Sequence, residues 1–159
     1  MNSSNKRLEF APGVWAALMS DLSARGGGKR ESGAFLLASA EAGDEVVRSW
    51  LPYDELAPES LNYAYVRLES EAFGRLFDWC SKKKVKVVAD IHTHPWGPNQ
   101  SVSDRAHPMI SLTGHVALIV PWFARRNPHP KDVSFNVYEG SGKWSSYYRG
   151  DAAARILKG

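Results

Sequence analysis

The segment His92-Thr93-His94-Pro95 closes a β-branched run, Val85 to Ile91, and Asp104 follows His94 by ten residues. In extended backbone, residues i and i+2 project to the same face, so both imidazoles can converge on one ion. Asp104 can return to them across a loop holding Pro95, Gly97 and Pro98, residue types that turn a chain and restrict it. Two imidazoles and one carboxylate make three N/O ligands. With zinc they leave a fourth tetrahedral position for water, the layout of a catalytic rather than a structural site. Such a water has its pKa lowered towards ~7 and needs a nearby carboxylate to carry its proton. Two His and a carboxylate also hold iron in oxygenases, although there the carboxylate usually stands within a His-x-Asp pair.

These residues need a sheet to hold them. The run Val85 to Ile91 reads as a central strand with the histidines at its C-terminal end, where open α/β sheets build their sites. Residues 12–24 carry Val14, Trp15, Leu18 and Leu22 at helical spacing, with Pro12 suited to the first turn. Residues 31–40 and 45–52, joined by Glu41-Ala42-Gly43-Asp44, read as a β-hairpin. Residues 61–68 read as a strand containing Tyr63 and Tyr65. The helix expected over 70–83 has Ser70 as N-cap and Phe73, Leu76, Phe77 and Cys80 on one face. A short helix capped by Ser101 or Ser103 follows the histidines. Strands are expected over 115–122 and 133–140, an edge strand around 143–151, and a weak final helix over 152–158. The expected architecture is a mixed α/β sandwich.

A chain of 159 residues with 43% hydrophobic and 23% charged residues fits one packed domain. The single cysteine, Cys80, excludes an intrachain disulfide and a cysteine-based zinc cluster, and a reducing, cytoplasmic setting is expected. No apolar h-region or run of eighteen apolar residues signals secretion or membrane insertion. The net charge of +3 is small, and the basic run Lys82 to Lys86 falls where a helix ends, a place that favours cations. Without interleaved aromatics, a nucleic-acid surface is the lesser reading.

Three pieces taken together, Glu31-Ser32-Gly33-Ala34-Phe35-Leu36-Leu37, His92-Thr93-His94-Pro95 and Ser101-Val102-Ser103-Asp104, resemble the JAMM motif of the JAB/MPN+ metalloproteases. The motif runs Glu, His-x-His-Pro, Ser-x-x-Asp, in that order. The resemblance spans about residues 12–140 of a single domain over 1–159. It implies a JAB/MPN (cytidine-deaminase-like) fold, a mixed β-sheet sandwiched by helices. It also implies that His92, His94 and Asp104 ligate Zn2+, that Glu31 is the general acid/base, and that Ser101 helps stabilise the oxyanion. Six residues separate His94 from Ser101, so either Ser101 or Ser103 faces the metal, and Ser103 is also a candidate substrate contact.

The activity implied is that of a zinc isopeptidase or peptidase cleaving after the C-terminal glycine of a ubiquitin-like protein. Stand-alone prokaryotic proteins of this kind deconjugate modifiers or process precursors, some alongside activating- and conjugating-type enzymes in antiviral systems. Processing of a sulfur carrier is a close relative of that activity. A non-catalytic MPN scaffold is a further class, although such scaffolds typically lack the metal residues. Trp96 is either ordinary packing or a wall of the substrate groove. His115 and His129 are expected to be structural, whereas His107, three residues beyond Asp104, is the extra histidine placed to reach the site.

Overall fold

The computed structural model describes residues 5–61 and 68–159. Apart from its end residues Leu61 and Leu68, the strand expected over 61–68, with Tyr63 and Tyr65, lies outside the described residues. In chain order the elements are β1 (Leu8–Glu9), α1 (Val14–Gly26), β2 (Gly33–Ser39), β3 (Ser49–Pro52), α2 (Tyr53–Leu56), α3 (Ser70–Lys83), β4 (Val85–Thr93), α4 (Val102–Ala106), β5 (Val116–Val120), β6 (Ser134–Gly140), β7 (Lys143–Tyr147), α5 (Arg149–Ala153) and β8 (Ile156–Leu157). Six strands form one mixed sheet in the order β3-β2-β4-β5-β6-β7. Within it β4 and β5 run parallel, and every other neighbouring pair is antiparallel.

The strand β2 shows why a continuous apolar run belongs at the centre of such a sheet. Ala34 and Leu36 face a core shared with Trp15, Leu18, Met19 and Leu22 of α1. Phe35 and Leu37 face the opposite core, with Leu51, Tyr53, and Ala72 and Leu76 of α3. Both faces are therefore dry, and full burial of each large side chain is worth about 1.5–3 kcal/mol. The two helices lie on opposite faces, which makes the sandwich expected from the sequence.

Local chemistry sets the ends of α1. Gly27, at φ 61°, closes it with its N–H donating to Ser23 O, a left-handed conformation that glycine adopts without steric cost. Gly13 rather than Pro12 borders its start, so Pro12 stands outside the helix. At Gly33 a Cβ would lie 2.4 Å from Tyr53 Cε2 and 2.6 Å from Ile91 O. Only glycine lets β2 approach the Tyr53 ring and β4 this closely.

Three further expectations need correcting. Glu69, not Ser70, borders α3, and no side chain caps it. Phe77, placed on the apolar face by its spacing, is 69% exposed, while Ala72 and Leu76 are the buried residues of the helix. The final segment is not one helix: α5 ends at Ala153, and Ile156–Leu157 forms β8, paired in parallel with β1. No described helix is long and apolar enough to cross a membrane.

Candidate metal centre

Parallel strands cannot be joined by a tight turn, so the chain must cross over between β4 and β5. Residues 94–115, which include α4, form this crossover. Three contacts fasten it across β6 and β7: Ser134 Oγ donates to Pro98 O at 2.6 Å, Ser146 Oγ to Gln100 Oε1 at 3.5 Å, and Trp144 Nε1 to Arg105 O at 3.1 Å. Met109 and Ile110 pack against the core beneath α3. Between α3 and the crossover lies a cavity of about 520 Å3. Glu31, Asp90, His92 and Asp104 line it together with the apolar Leu68, Phe73 and Met109.

His92 Nε2 and His94 Nε2 lie 3.2 Å apart. Asp104 Oδ1 is 3.4 Å from His92 Nε2, and Asp104 Oδ2 is 3.1 Å from His94 Nε2. Tetrahedral ligands at metal distances of about 2.0–2.1 Å stand roughly 3.3–3.4 Å from one another. The two imidazole nitrogens are close to that spacing, each has one oxygen of the Asp104 carboxylate at a similar distance, and the donor set of two imidazoles and a carboxylate suits a divalent ion. Glu31 approaches the same pair: Glu31, His92 and His94 each offer a ligand atom within 4.8 Å of the others.

Two backbone devices hold the histidines. His94 N–H donates to Val120 O at 2.8 Å, extending the β4–β5 pairing past the last residue of β4. Its carbonyl accepts from Phe123 N–H at 2.9 Å, and Trp96 O accepts from Trp122 N–H at 3.3 Å. Phe123 and its neighbours Trp122 and Ala124 have φ of 54°, 59° and 62°, three consecutive non-glycine residues in the left-handed region. That conformation costs about 1–2 kcal/mol per residue. The strained turn presents its N–H groups to the loop that carries His94.

Asp104 is positioned by a capping box. Ser101 Oγ accepts from Asp104 N–H at 3.0 Å, and Asp104 Oδ2 accepts from Ser101 N–H at 2.8 Å. The Ser101 hydroxyl hydrogen is not consumed by this contact, so it can still donate. Ser103 and His107 line the cavity. Trp96 is 79% exposed and is not among the cavity's lining residues. His115 Nε2–H donates to Asp90 Oδ2 at 2.7 Å, and both side chains are largely buried. His129 is exposed and borders the short turn Pro130–Asp132, whose Asp132 Oδ2 accepts from its N–H.

The electrostatics differ from one carboxyl to the other. Burial raises the Glu31 pKa above its ordinary 4.5; His92 and His94 oppose the rise and the Asp104 charge adds to it. Burial would also raise Asp104, but the hydrogen bonds of the two histidines, the His92 charge and the Ser101 backbone bond hold it far below the carboxylate range. At His92 burial favours the neutral ring, yet Asp104 first, then Asp90 and Glu31, raise its pKa above 6.5. Tyr53 is raised well above 10.0 by complete burial and then by Asp90.

A pH dependence follows for the metal-free protein. Because the Asp104 pKa is depressed by folding, its stabilisation is present above its unfolded value near 3.8 and is lost as the pH falls below it. Because the His92 pKa is raised, its share is complete below 6.5 and fades as the pH rises through the folded value. Metal-free thermal melts are therefore expected to drop from about pH 5 to pH 3, and Asp104→Asn to flatten that drop. Equal slopes in the two proteins would contradict the assignment.

Sequence reasoning passed over Ser32 and Thr93. Ser32 N–H donates to Thr93 Oγ1 at 2.9 Å, and Thr93 N–H donates to Ser32 O at 2.9 Å. Both residues are fully buried, and Ser32 Oγ donates to Leu22 O of α1 at 2.8 Å. Hydroxyls beside the motif were the only signal. Their pairing, across sixty-one residues, exists only once β2 and β4 are aligned.

No family model matches the chain. Over 60 residues it is 35% identical to a protein of Sinorhizobium fredii (strain NBRC 101917 / NGR234) named probable metalloprotease y4jG, a stretch that makes up 38% of this chain. It covers 37% of that protein, so the chain spans well under half the length of the curated relative. Two solution structures share the fold. Protein DSY2949 from Desulfitobacterium hafniense superposes with a TM-score of 0.64 at 13% identity, covering 96% of this chain and 93% of that one. A protein from Salinibacter ruber (strain DSM 13855) gives 0.60 at 15% identity, covering 96% and 92%. At such identities the likeness is one of fold, here a mixed α/β sheet with helices.

Proposed function

We propose that the chain is a zinc-dependent peptidase of the JAMM type. The observation that carries this reading is the triangle of side chains His92, His94 and Asp104: the imidazole Nε2 atoms lie 3.2 Å apart, Asp104 Oδ1 is 3.4 Å from His92 Nε2 and Asp104 Oδ2 is 3.1 Å from His94 Nε2, beside a cavity that Glu31, His92 and Asp104 line. The partial likeness to a protein named as a probable metalloprotease supports it. Zinc held there would supply Lewis acidity to a scissile carbonyl and would lower the pKa of water.

The chain's own residues account for the remaining needs of amide hydrolysis. Glu31, with its raised pKa, takes the proton of the attacking water and returns it to the departing amine. Ser101 accepts from the Asp104 backbone and so keeps its hydroxyl hydrogen to donate to the developing oxyanion. In this reading Ser103, which lines the cavity, meets the substrate chain there, and exposed Trp96 meets it outside the cavity.

The substrate in this reading is the glycine-ended tail of a ubiquitin-like protein, joined to an amine or followed by a short extension. A cavity with the apolar walls Leu68, Phe73 and Met109 beside the triangle suits an extended tail better than a folded surface. Activating- and conjugating-type enzymes would be its partners in the cytoplasm, as in antiviral conjugation systems. The test is cleavage of a ubiquitin-like protein carrying a C-terminal extension, alongside zinc quantification of the purified chain. Stoichiometric zinc and release of the free glycine terminus are expected; no zinc and no cleavage would end the proposal.

A further inference from the structure

We infer that Thr93 is a positioning residue for Glu31, acting through Ser32. This rests on the role proposed for Glu31 above. The three observations behind it are geometric. Glu31 precedes β2 and is not itself in a strand, so the sheet ladder alone does not set its direction. The next residue, Ser32, is tied on three sides: its N–H to Thr93 Oγ1, its carbonyl to Thr93 N–H, and its hydroxyl to Leu22 O. Both Ser32 and Thr93 are fully buried, where water cannot replace a lost partner without cost.

Thr93 lies between the histidines on β4, so its side chain projects to the face opposite theirs. It is not among the residues that line the cavity. What it holds is the backbone of Ser32, one peptide from Glu31. The register Gly33↔His92 places this pair beside the first cross-strand partners of β2 and β4. The distance from Glu31 to the two imidazoles is thus set by a side chain-to-backbone bond at the strand end, in addition to the ladder. A valine at 93 would keep the shape and remove the acceptor, leaving the Ser32 N–H buried and unpaired. A serine would keep the acceptor.

The experiment compares wild type with Thr93→Val, Thr93→Ser and Glu31→Gln in two readouts. The first is the visible spectrum of the Co2+-loaded proteins, which responds to groups around the metal whether or not a substrate is cleaved. The Thr93→Val spectrum is expected to move towards that of Glu31→Gln, while Thr93→Ser stays with wild type and Co2+ affinity stays within about threefold in all. The second is turnover: Thr93→Val is expected to lose at least tenfold in kcat with KM unchanged, and Thr93→Ser to recover most of it.

A wild-type Thr93→Val spectrum and kcat would overturn the inference. So would a Thr93→Ser as impaired as Thr93→Val, because packing rather than the hydrogen bond would then be the cause. If Thr93→Val does not fold, Thr93→Ala, which also lacks the acceptor for the Ser32 N–H, is judged by the same criteria. Loss of Co2+ binding by wild type would instead defeat the metal reading, and absence of wild-type cleavage with a normal Co2+ spectrum would defeat the peptidase reading alone.

Discussion

Glu31→Gln is expected to keep its metal and lose roughly 10²–10⁴-fold in turnover, the usual share of a general acid/base. Gln matches Glu in size and can still hydrogen-bond, so the end of β2 and its tie to Thr93 should survive. What it cannot do is take a proton. The Glu31 carboxyl is suited to that task because burial raises its pKa, with the Asp104 charge adding to the effect, against the pull of the two imidazoles. Metal content and kcat measured on the same preparation separate the possibilities. If zinc leaves together with activity, Glu31 is a ligand in a Glu-His-His set, an arrangement its approach within 4.8 Å of both histidines also permits. Wild-type turnover in Glu31→Gln would remove the proton-transfer role altogether.

Asp104→Asn is expected to do the reverse, weakening zinc binding by at least about 100-fold while the fold persists. Loss of an outer-sphere partner already costs roughly 10- to 100-fold in metal affinity, and a direct anionic ligand contributes more. The fold should persist because an Asn amide oxygen can still accept from Ser101 N–H, as Asp104 Oδ2 does at 2.8 Å, and the backbone N–H at 104 still finds Ser101 Oγ. Asp104→Ala lacks that acceptor and should additionally lose about 0.5–2 kcal/mol of stability at α4. Chelator-competition titration with zinc, paired with thermal denaturation, reads the two effects apart. Undiminished zinc affinity in Asp104→Asn would exclude Asp104 as a ligand.

The elements around this centre were legible where one physical rule dominates. The run Val85 to Ile91 is rich in β-branched residues because β4 lies inside the sheet, between β2 and β5, and α3 spans Ser70–Lys83 as its spacing predicts. Phe77 was misplaced because helical spacing marks a face as apolar without saying how far the neighbouring sheet extends beneath it. Ile156–Leu157 was misplaced because two residues gain strand character only from a partner, here β1, at the other end of the chain. Ser70 was misplaced because capping preference describes residue types, whereas the observed border depends on the path of the chain entering the helix.

The sequence by itself determined which donors are available, two imidazoles and a carboxylate with a glutamate far upstream, and that the histidines share a face, because a strand repeats every two residues. It also determined Asp104's local frame, since Ser101 and Asp104 cap the same short helix. The tertiary structure decided how near these groups come to one another. The crossover between parallel strands brings Asp104 within 3.4 Å of both imidazoles, and the antiparallel pairing of β2 with β4 brings in Glu31. The Ser32–Thr93 clamp and the left-handed turn at Trp122 to Ala124 arise at the same level. Their partners are remote in the chain, so no local preference encodes them; they exist only when the sheet is assembled.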